Sequence, residues 1–198
     1  MEKNSSFEAG TKNKQSTKMK KAALIAVAVA FIPAAYFMTI VASGNFHAVT
    51  PREAYRSAQP NYAQLEYYAK TFGIKSDINL RGKNAGSRWY RDEVRACAAL
   101  GIKHYDVGLS ASSEPTARQV RKLIEIMRTA PRPVLMHCKS GADRSGLLAA
   151  MWKMYVDGAT RAEADSELSV RYGHVPLLGT SAMDHFFMAW RPSEAVAK

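Results

Sequence analysis

The chain is short of cysteine. Only two occur in 198 residues, Cys97 and Cys138. Two cysteines exclude a disulfide framework and a cysteine-rich zinc set. Acidic residues are in the minority too: 17 Asp and Glu stand against 28 Lys and Arg, a net charge of +11. That balance suits an anionic ligand or a membrane surface. It suits equally the solvated faces of an ordinary soluble domain. Internal repeats are absent. His104, His174 and His185 show no metal-ligand spacing and read as structural, so no metal, no cofactor and no nucleic-acid partner is expected.

What is present begins with a run that lacks charge. Residues 1–21 are polar and Lys-rich (Lys12, Lys14, Lys18, Lys20, Lys21), with no apolar period, and read as a disordered tail. Residues 22–44, AALIAVAVAFIPAAYFMTIVASG, carry no charged side chain. Crossing a bilayer takes ~20 apolar residues of helix, so the expectation is a single-pass transmembrane signal anchor. Pro33 can kink such a helix without breaking it. The alternative is a signal peptide cut near Ala42, Ser43 and Gly44, although signal cores run only about 7–15 residues. Lysines crowd the N-terminal flank, whereas Arg52 and Arg56 alone lie close on the other side. The positive-inside tendency then puts the N-terminus in the cytoplasm and the domain, 45–198, on the outer side, periplasmic in a bacterium. Secretion after cleavage is the alternative.

Along that domain, extended pieces are expected at 46–49 and 54–57. Asn61 opens a helix, with Gln64 at the capping-box position and Gly73 as its stop. Residues 74–80 read as a strand and 87–100 as a helix stopped by Gly101. Residues 102–107 read as a strand and 108–116 as a loop. A helix at 116–129 carries Val120, Leu123, Ile124 and Met127 at helical spacing, and Pro131 and Pro133 end it. A strand at 134–137, a helix at 144–157 and helical stretches at 160–172 and 180–190 complete the domain. The alternation predicts an α/β fold with a central, mostly parallel sheet flanked by helices. Ligands of such sheets gather at the carboxyl ends of the strands.

HCKSGADRSG, residues 137–146, lies at such an end. Lys139, Ser140, Gly141 and Ala142 offer backbone N–H groups as an anion nest, and the helix starting near Arg144 adds its positive end. Gly141 permits the tight turn and Gly146 close packing. Arg144 supplies a planar fork for two phosphate oxygens. Cys138 sits at the floor of this cradle. The groups that hold phosphate also stabilise a thiolate, so its pKa is expected below the free value of ~8.5. A thiolate there is a nucleophile facing phosphorus. Ser145 can donate to the sulfur and help it leave, and His137 can order the loop through its ring nitrogens.

His137-Cys138, five residues and then Arg144-Ser145, with Gly141 between, match the HCxxGxxR[ST] signature: the chain resembles the protein tyrosine phosphatase superfamily. YRSAQP (55–60), GIKSDINLRG (73–82), WYRDE (89–93) and YGH (172–174) extend the resemblance to small bacterial dual-specificity-phosphatase-like proteins, over about residues 50–190. The resemblance implies a tyrosine-phosphatase-like fold and hydrolysis of phosphate monoesters through a phosphocysteine, without a metal. It also implies Arg81 near the active site; an ion pair of Arg81 with Asp92 or Glu93 is the alternative.

Such enzymes need a general acid. Many relatives carry an Asp in the loop that here reads GLSASSEPT (108–116), which has none. Asp106 precedes that loop. Glu114 stands at its end, where capping the next helix is its other use. Asp143 is the favoured candidate, because lipid phosphatases of the myotubularin type place an Asp at that point of the signature. Lys139 resembles the CKxGxxR loop of phosphoinositide and inositol-phosphate phosphatases. The expected substrate is therefore a phosphorylated protein, a phosphoinositide or an inositol phosphate. A phosphate-binding pseudophosphatase and a sulfur-transferring, rhodanese-like enzyme are the alternatives. Cys97, on an apolar helical face, is expected to be inert unless an oxidising compartment couples it to Cys138.

Overall fold

The computed structural model describes residues 19–21, 24, 29, 31, 32, 34–40, 42–176, 179 and 181–192. These form two compact units divided between Thr39 and Ile40. In the first, residues 34–39 are helical and Phe37 and Met38 are exposed. Residues 22, 23, 25–28, 30, 33 and 41 of the expected anchor lie outside the described residues. Among those described, no helix is long and apolar enough to cross a membrane. The transmembrane part of the expectation therefore gains no support from the fold.

The second unit is built on five short strands: β1 (His47–Thr50), β2 (Ala54–Ser57), β3 (Ser76–Asn79), β4 (Lys103–Asp106) and β5 (Val134–His137). Their order across the sheet is β1-β2-β5-β3-β4. Only the edge strand β1 runs antiparallel; β2, β5, β3 and β4 are parallel. The expected mostly parallel sheet is thus present.

Helices connect the parallel strands. α1 (Tyr62–Phe72) starts at the Asn61/Gln64 capping box and stops at Gly73 in the left-handed conformation. α2 (Arg88–Leu100) stops the same way at Gly101. α3 (Ala117–Thr129) is capped by Thr116 and Gln119. Thr116, not Glu114, does the capping, because its hydroxyl can reach the Gln119 N–H while Gln119 reaches back. α4 (Asp143–Tyr155) leaves the signature loop and buries Leu147 through Trp152 without a gap. α5 (Arg161–Asp165), a 3-10 turn (Val170–Tyr172) and α6 (Ser181–Ala189) follow.

Alternation of side chains splits the core in two. Tyr55 and Leu135 face one way and pack with Leu65 and Tyr68 of α1 and Ala96 and Cys97 of α2. Ala54, Ile78, Val134 and Met136 face the other way, onto α3 and α4. The strand register has one consequence for function. Ser57 and Asn79 flank His137 on either side, and Asp106 pairs Asn79. The carboxyl ends of four parallel strands therefore form one polar row, directly before Cys138.

Candidate active site

The loop from Cys138 to Ala142 bridges β5 and α4, whose first turn carries Asp143 and Arg144, and it is held from below. Arg56, on β2, is fully buried. Its Nη2 donates to the carbonyl oxygens of Gly141 and Ala142, each at 2.9 Å. Its Nη1 donates to the Glu167 carbonyl at 2.7 Å and the Glu167 carboxylate at 2.8 Å. The guanidinium also lies over the Tyr172 ring, 4.2 Å from its centroid. A planar fork is the side chain able to serve that many acceptors at once. Asn45 adds a second tie: its Nδ2 donates to Ser140 O and to Tyr172 O, both at 2.9 Å.

These ties turn the loop's carbonyls outward from the pocket and leave its N–H groups for the sulfur. Gly141 has φ +73, and a Cβ there would stand 2.6 Å from Ala58 N and 2.7 Å from Ser57 C. Only glycine lets the loop lie on β2. At Gly146 a Cβ would meet Glu167 O at 2.9 Å and Arg56 Nη2 at 3.0 Å, so α4 too depends on a missing side chain.

Cys138 is buried, with its Sγ 3.4 Å from Ser145 Oγ. Burial alone pushes a thiol up. The Arg144 charge, the Ser145 hydroxyl and the N–H groups of Ser145 and Gly141 outweigh it, and the Cys138 pKa falls below its ordinary value. Arg144 is half-buried, and its Nη1 reaches Leu109 O at 3.4 Å. Its buried Nε has no acceptor among the described residues. Ser140 and Lys139 are exposed at the rim, and Ala142 is buried beneath it.

Arg81 makes neither expected ion pair. Its Nη1 donates to Gln59 Oε1 at 2.7 Å, and its guanidinium stacks 3.4 Å from the Trp89 ring centroid. Asp92 is engaged by Arg88 and Arg95 instead. Burial and the neighbouring Arg144 charge lower the Arg81 pKa, while Glu93 and Cys138 act the other way. Arg81 thus lies in the electrostatic field of the loop.

Behind the loop lies a charge cluster that the sequence reading did not assemble. His137 Nε2 is 3.3 Å from Glu93 Oε1 and 3.4 Å from Asp77 Oδ1, with all three side chains fully buried. His104 Nε2 is 2.6 Å from the same Glu93 oxygen. Gln59 Nε2 donates to the other Glu93 oxygen. Burial opposes a charge on His137, but Asp77 and Glu93 prevail and push its pKa up to about 10. Asp77, Glu93 and His137 bring ligand atoms within 4.8 Å of one another, a donor set of metal-binding composition. In this structure both histidines face each of the two carboxylates, and Gln59 also faces Glu93.

The three acid candidates separate by their partners. Both Asp106 oxygens already accept, from Asn79 Nδ2 at 2.8 Å and from the Tyr90 hydroxyl at 2.5 Å. Glu114 is exposed in the 108–116 loop. Asp143, the first residue of α4, faces His174: Nδ1 of that ring is 2.8 Å from Asp143 Oδ1. This departs from the structural role that the sequence alone suggests for His174. The YGH stretch was visible, but its partner Asp143 is distant in sequence and no local spacing links them. Cys97 and Cys138 are both free. Cys97 faces Asp77 Oδ2 at 3.5 Å, in the cluster under α1 and α2, whereas Cys138 belongs to the other.

Residues 42–183 match the model of the family described as DSP-PTPase phosphatase fused to NAD+ kinase. The chain belongs to that family. Among curated relatives it is similar to the inositol diphosphatase SIW14 of Saccharomyces cerevisiae, 28% identical over 114 residues, covering 55% of this chain and 39% of the relative. It is also similar to the dual specificity protein phosphatase TpbA of Pseudomonas aeruginosa, 28% identical over 137 residues, covering 68% of this chain and 57% of the relative. The chain thus spans less than two thirds of either. Solved structures share the fold. P. aeruginosa TpbA superimposes with a TM-score of 0.61 at 22% identity, covering 77% of this chain and 89% of that one. The S. cerevisiae SIW14 catalytic core does so with 0.63 at 22%, covering 76% and 87%.

Proposed function

We propose that the chain is a cysteine-dependent phosphatase that hydrolyses phosphate monoesters through a phosphocysteine at Cys138. The observation that carries this reading is the buried Cys138 sulfur, 3.4 Å from Ser145 Oγ in a glycine-turned loop, with its pKa lowered by the Arg144 charge, the Ser145 hydroxyl and the loop N–H groups. In the first step the Cys138 thiolate forms a bond to phosphorus and the ester P–O bond breaks. Arg144 and the loop N–H groups hold the equatorial oxygens. Asp143 gives its proton to the leaving oxygen. In the second step water attacks the phosphocysteine, Asp143 takes its proton, and Ser145 donates to the departing sulfur. Cys138, Arg144, Asp143 and Ser145, the loop N–H groups and one water molecule carry this scheme.

Phosphorylated protein and phosphoinositide or inositol phosphate are the substrate classes this rim suits. Lys139 at the edge and Arg81 beside Trp89 add cations outside the central fork. The relatives named above include one phosphatase of each class. Family membership favours a phosphatase over the rhodanese-like alternative. The charge-free run 22–44 and its lysine-rich flank support a membrane anchor with the domain on the outer side, or secretion after cleavage.

The test is an aryl phosphate assay of the full chain under reductant, beside Cys138→Ser. Turnover that the substitution abolishes and a chelator leaves intact is the expected result. Phosphate binding without turnover would instead make the chain a pseudophosphatase.

A further inference from the structure

A general acid must carry a proton when the substrate arrives. A carboxylate has no proton to give until another group supplies one. The surroundings of Asp143 contain a group that does. The His174 ring is fully buried. Its Nδ1 lies 2.8 Å from Asp143 Oδ1, on α4, and its Nε2 lies 3.0 Å and 3.2 Å from the two oxygens of Asp184, on α6. Where both carboxylates are ionised, a ring with a carboxylate oxygen at each nitrogen donates from both, and only the imidazolium has two N–H groups.

We propose that His174 loads Asp143 with the proton that the leaving oxygen receives. The inference rests on the reading of Asp143 as the general acid and gives that acid its source. His174 does not touch the substrate. It is a positioning residue that acts through Asp143.

The proton count closes over the cycle. In the first step the Nδ1 proton of His174 moves to Asp143, and Asp143 passes a proton to the leaving oxygen as the P–O bond breaks. The products are the free alcohol, the phosphocysteine and a neutral His174. In the second step water attacks phosphorus, and its proton returns through Asp143 to Nδ1. Inorganic phosphate, the Cys138 thiolate and the imidazolium are restored. Asp184 stays ionised throughout and holds the ring by its far nitrogen. Among the described residues, Asp143 and Asp184 are the titratable groups that face His174. Burial opposes its charge, yet the bonds to these two carboxylates raise its pKa.

The experiment measures kcat and KM of the full chain against pH, for phosphate esters whose leaving groups span a range of pKa, in His174→Gln, Asp184→Asn and Asp143→Asn. With His174→Gln, kcat for alkyl esters is expected to fall by about 10²–10⁴-fold, the usual worth of a general acid. Esters of acidic phenols should lose far less, KM should stay put, and the alkaline limb of the kcat profile should vanish. Asp184→Asn leaves the ring in place but removes an anion that holds its proton, so the alkaline limb should move to lower pH. A uniform loss for all esters with an unmoved limb would show that His174 is only a brace and overturn the proposal. If Asp143→Asn steepens the leaving-group dependence while Asp184→Asn leaves the limb where it was, the relay fails and Asp143 stands. If Asp143→Asn leaves that dependence unchanged, the acid assignment itself fails, and the relay with it.

Discussion

The Arg56 guanidinium and the Gly141 carbonyl oxygen meet at 2.9 Å, and this contact ties the second strand of the sheet to the anion-binding loop. The same guanidinium neutralises the buried Glu167 carboxylate, whose side chain is 7% exposed. Loop geometry and core stability therefore depend on one side chain.

Arg56→Leu should accordingly be costly. Removing one partner leaves the other charge buried and unpaired, a loss of about 3–5 kcal/mol. Chemical denaturation is expected to show that loss, with activity falling further than the unfolded fraction explains. Arg56→Lys keeps the charge but lacks the fork. Recovery of stability in Arg56→Lys without recovery of kcat would be the expected signature. Full recovery of both would mean that charge alone matters.

Gly141→Ala isolates the loop from the core. The left-handed region costs a non-glycine residue roughly 1–2 kcal/mol, and the new Cβ would press on Ala58 N at 2.6 Å and on Ser57 C, at the end of β2, at 2.7 Å. The loop must lift. Phosphate affinity and kcat/KM should both fall by more than tenfold while the melting profile stays cooperative. Unchanged phosphate binding by calorimetry would show that the N–H cradle does not depend on this approach.

The two cysteines should answer alkylation in opposite ways. Arg144, Ser145 and the loop N–H groups overcome burial and lower the Cys138 pKa. Burial and the Asp77 charge raise that of Cys97. Native protein treated with iodoacetamide and digested should be modified at Cys138, with a rate midpoint below the free-thiol value of ~8.5. Cys97 should react only after unfolding. Ser145→Ala removes one stabilising bond and should move the midpoint upward. Equal labelling of both cysteines would contradict this assignment.

The His137 cluster links stability to pH with a defined sign. Its folded pKa is raised from 6.5 to about 10. That contribution is therefore complete below pH 6.5 and is lost as pH rises through about 10. Glu93 works at the other end. Burial opposes its charge, but bonds from His104, His137 and Gln59 hold its pKa below the ordinary 4.5, so its contribution is present above 4.5 and fades as pH falls toward the folded value. Asp77→Asn removes one anion that keeps His137 charged. Its melting temperature should begin to fall at lower pH than that of the wild type; parallel profiles would show that Asp77 and His137 are not coupled.

Local signals in the sequence carried much of this fold. Asn61, Gln64 and Gly73 mark α1 because capping is decided within four residues of the helix end. The signature loop is legible because a strand, two glycines and an arginine stand in one run. The expected helix 160–172 instead breaks after Asp165. The Glu167 carbonyl there accepts from Arg56, an acceptor that a continuing helix would need for itself. No periodicity in 160–172 reports a donor 111 residues away. The same distance hides the partners of the site. Asp77, Glu93, His104 and His137 come from three strands and a helix, and His174 meets Asp143 across 31 residues. Such sets form only when the sheet order is known.

The central claim is that Cys138 carries the phosphoryl group. Acid quench of the full chain during turnover of an aryl phosphate, followed by peptide mass spectrometry, tests it most directly. The account predicts one phosphoryl increment on the Cys138 peptide, which accumulates further in Ser145→Ala because the thiolate leaves more slowly. Turnover by a chain that never shows that increment, or turnover surviving Cys138→Ser, would contradict it.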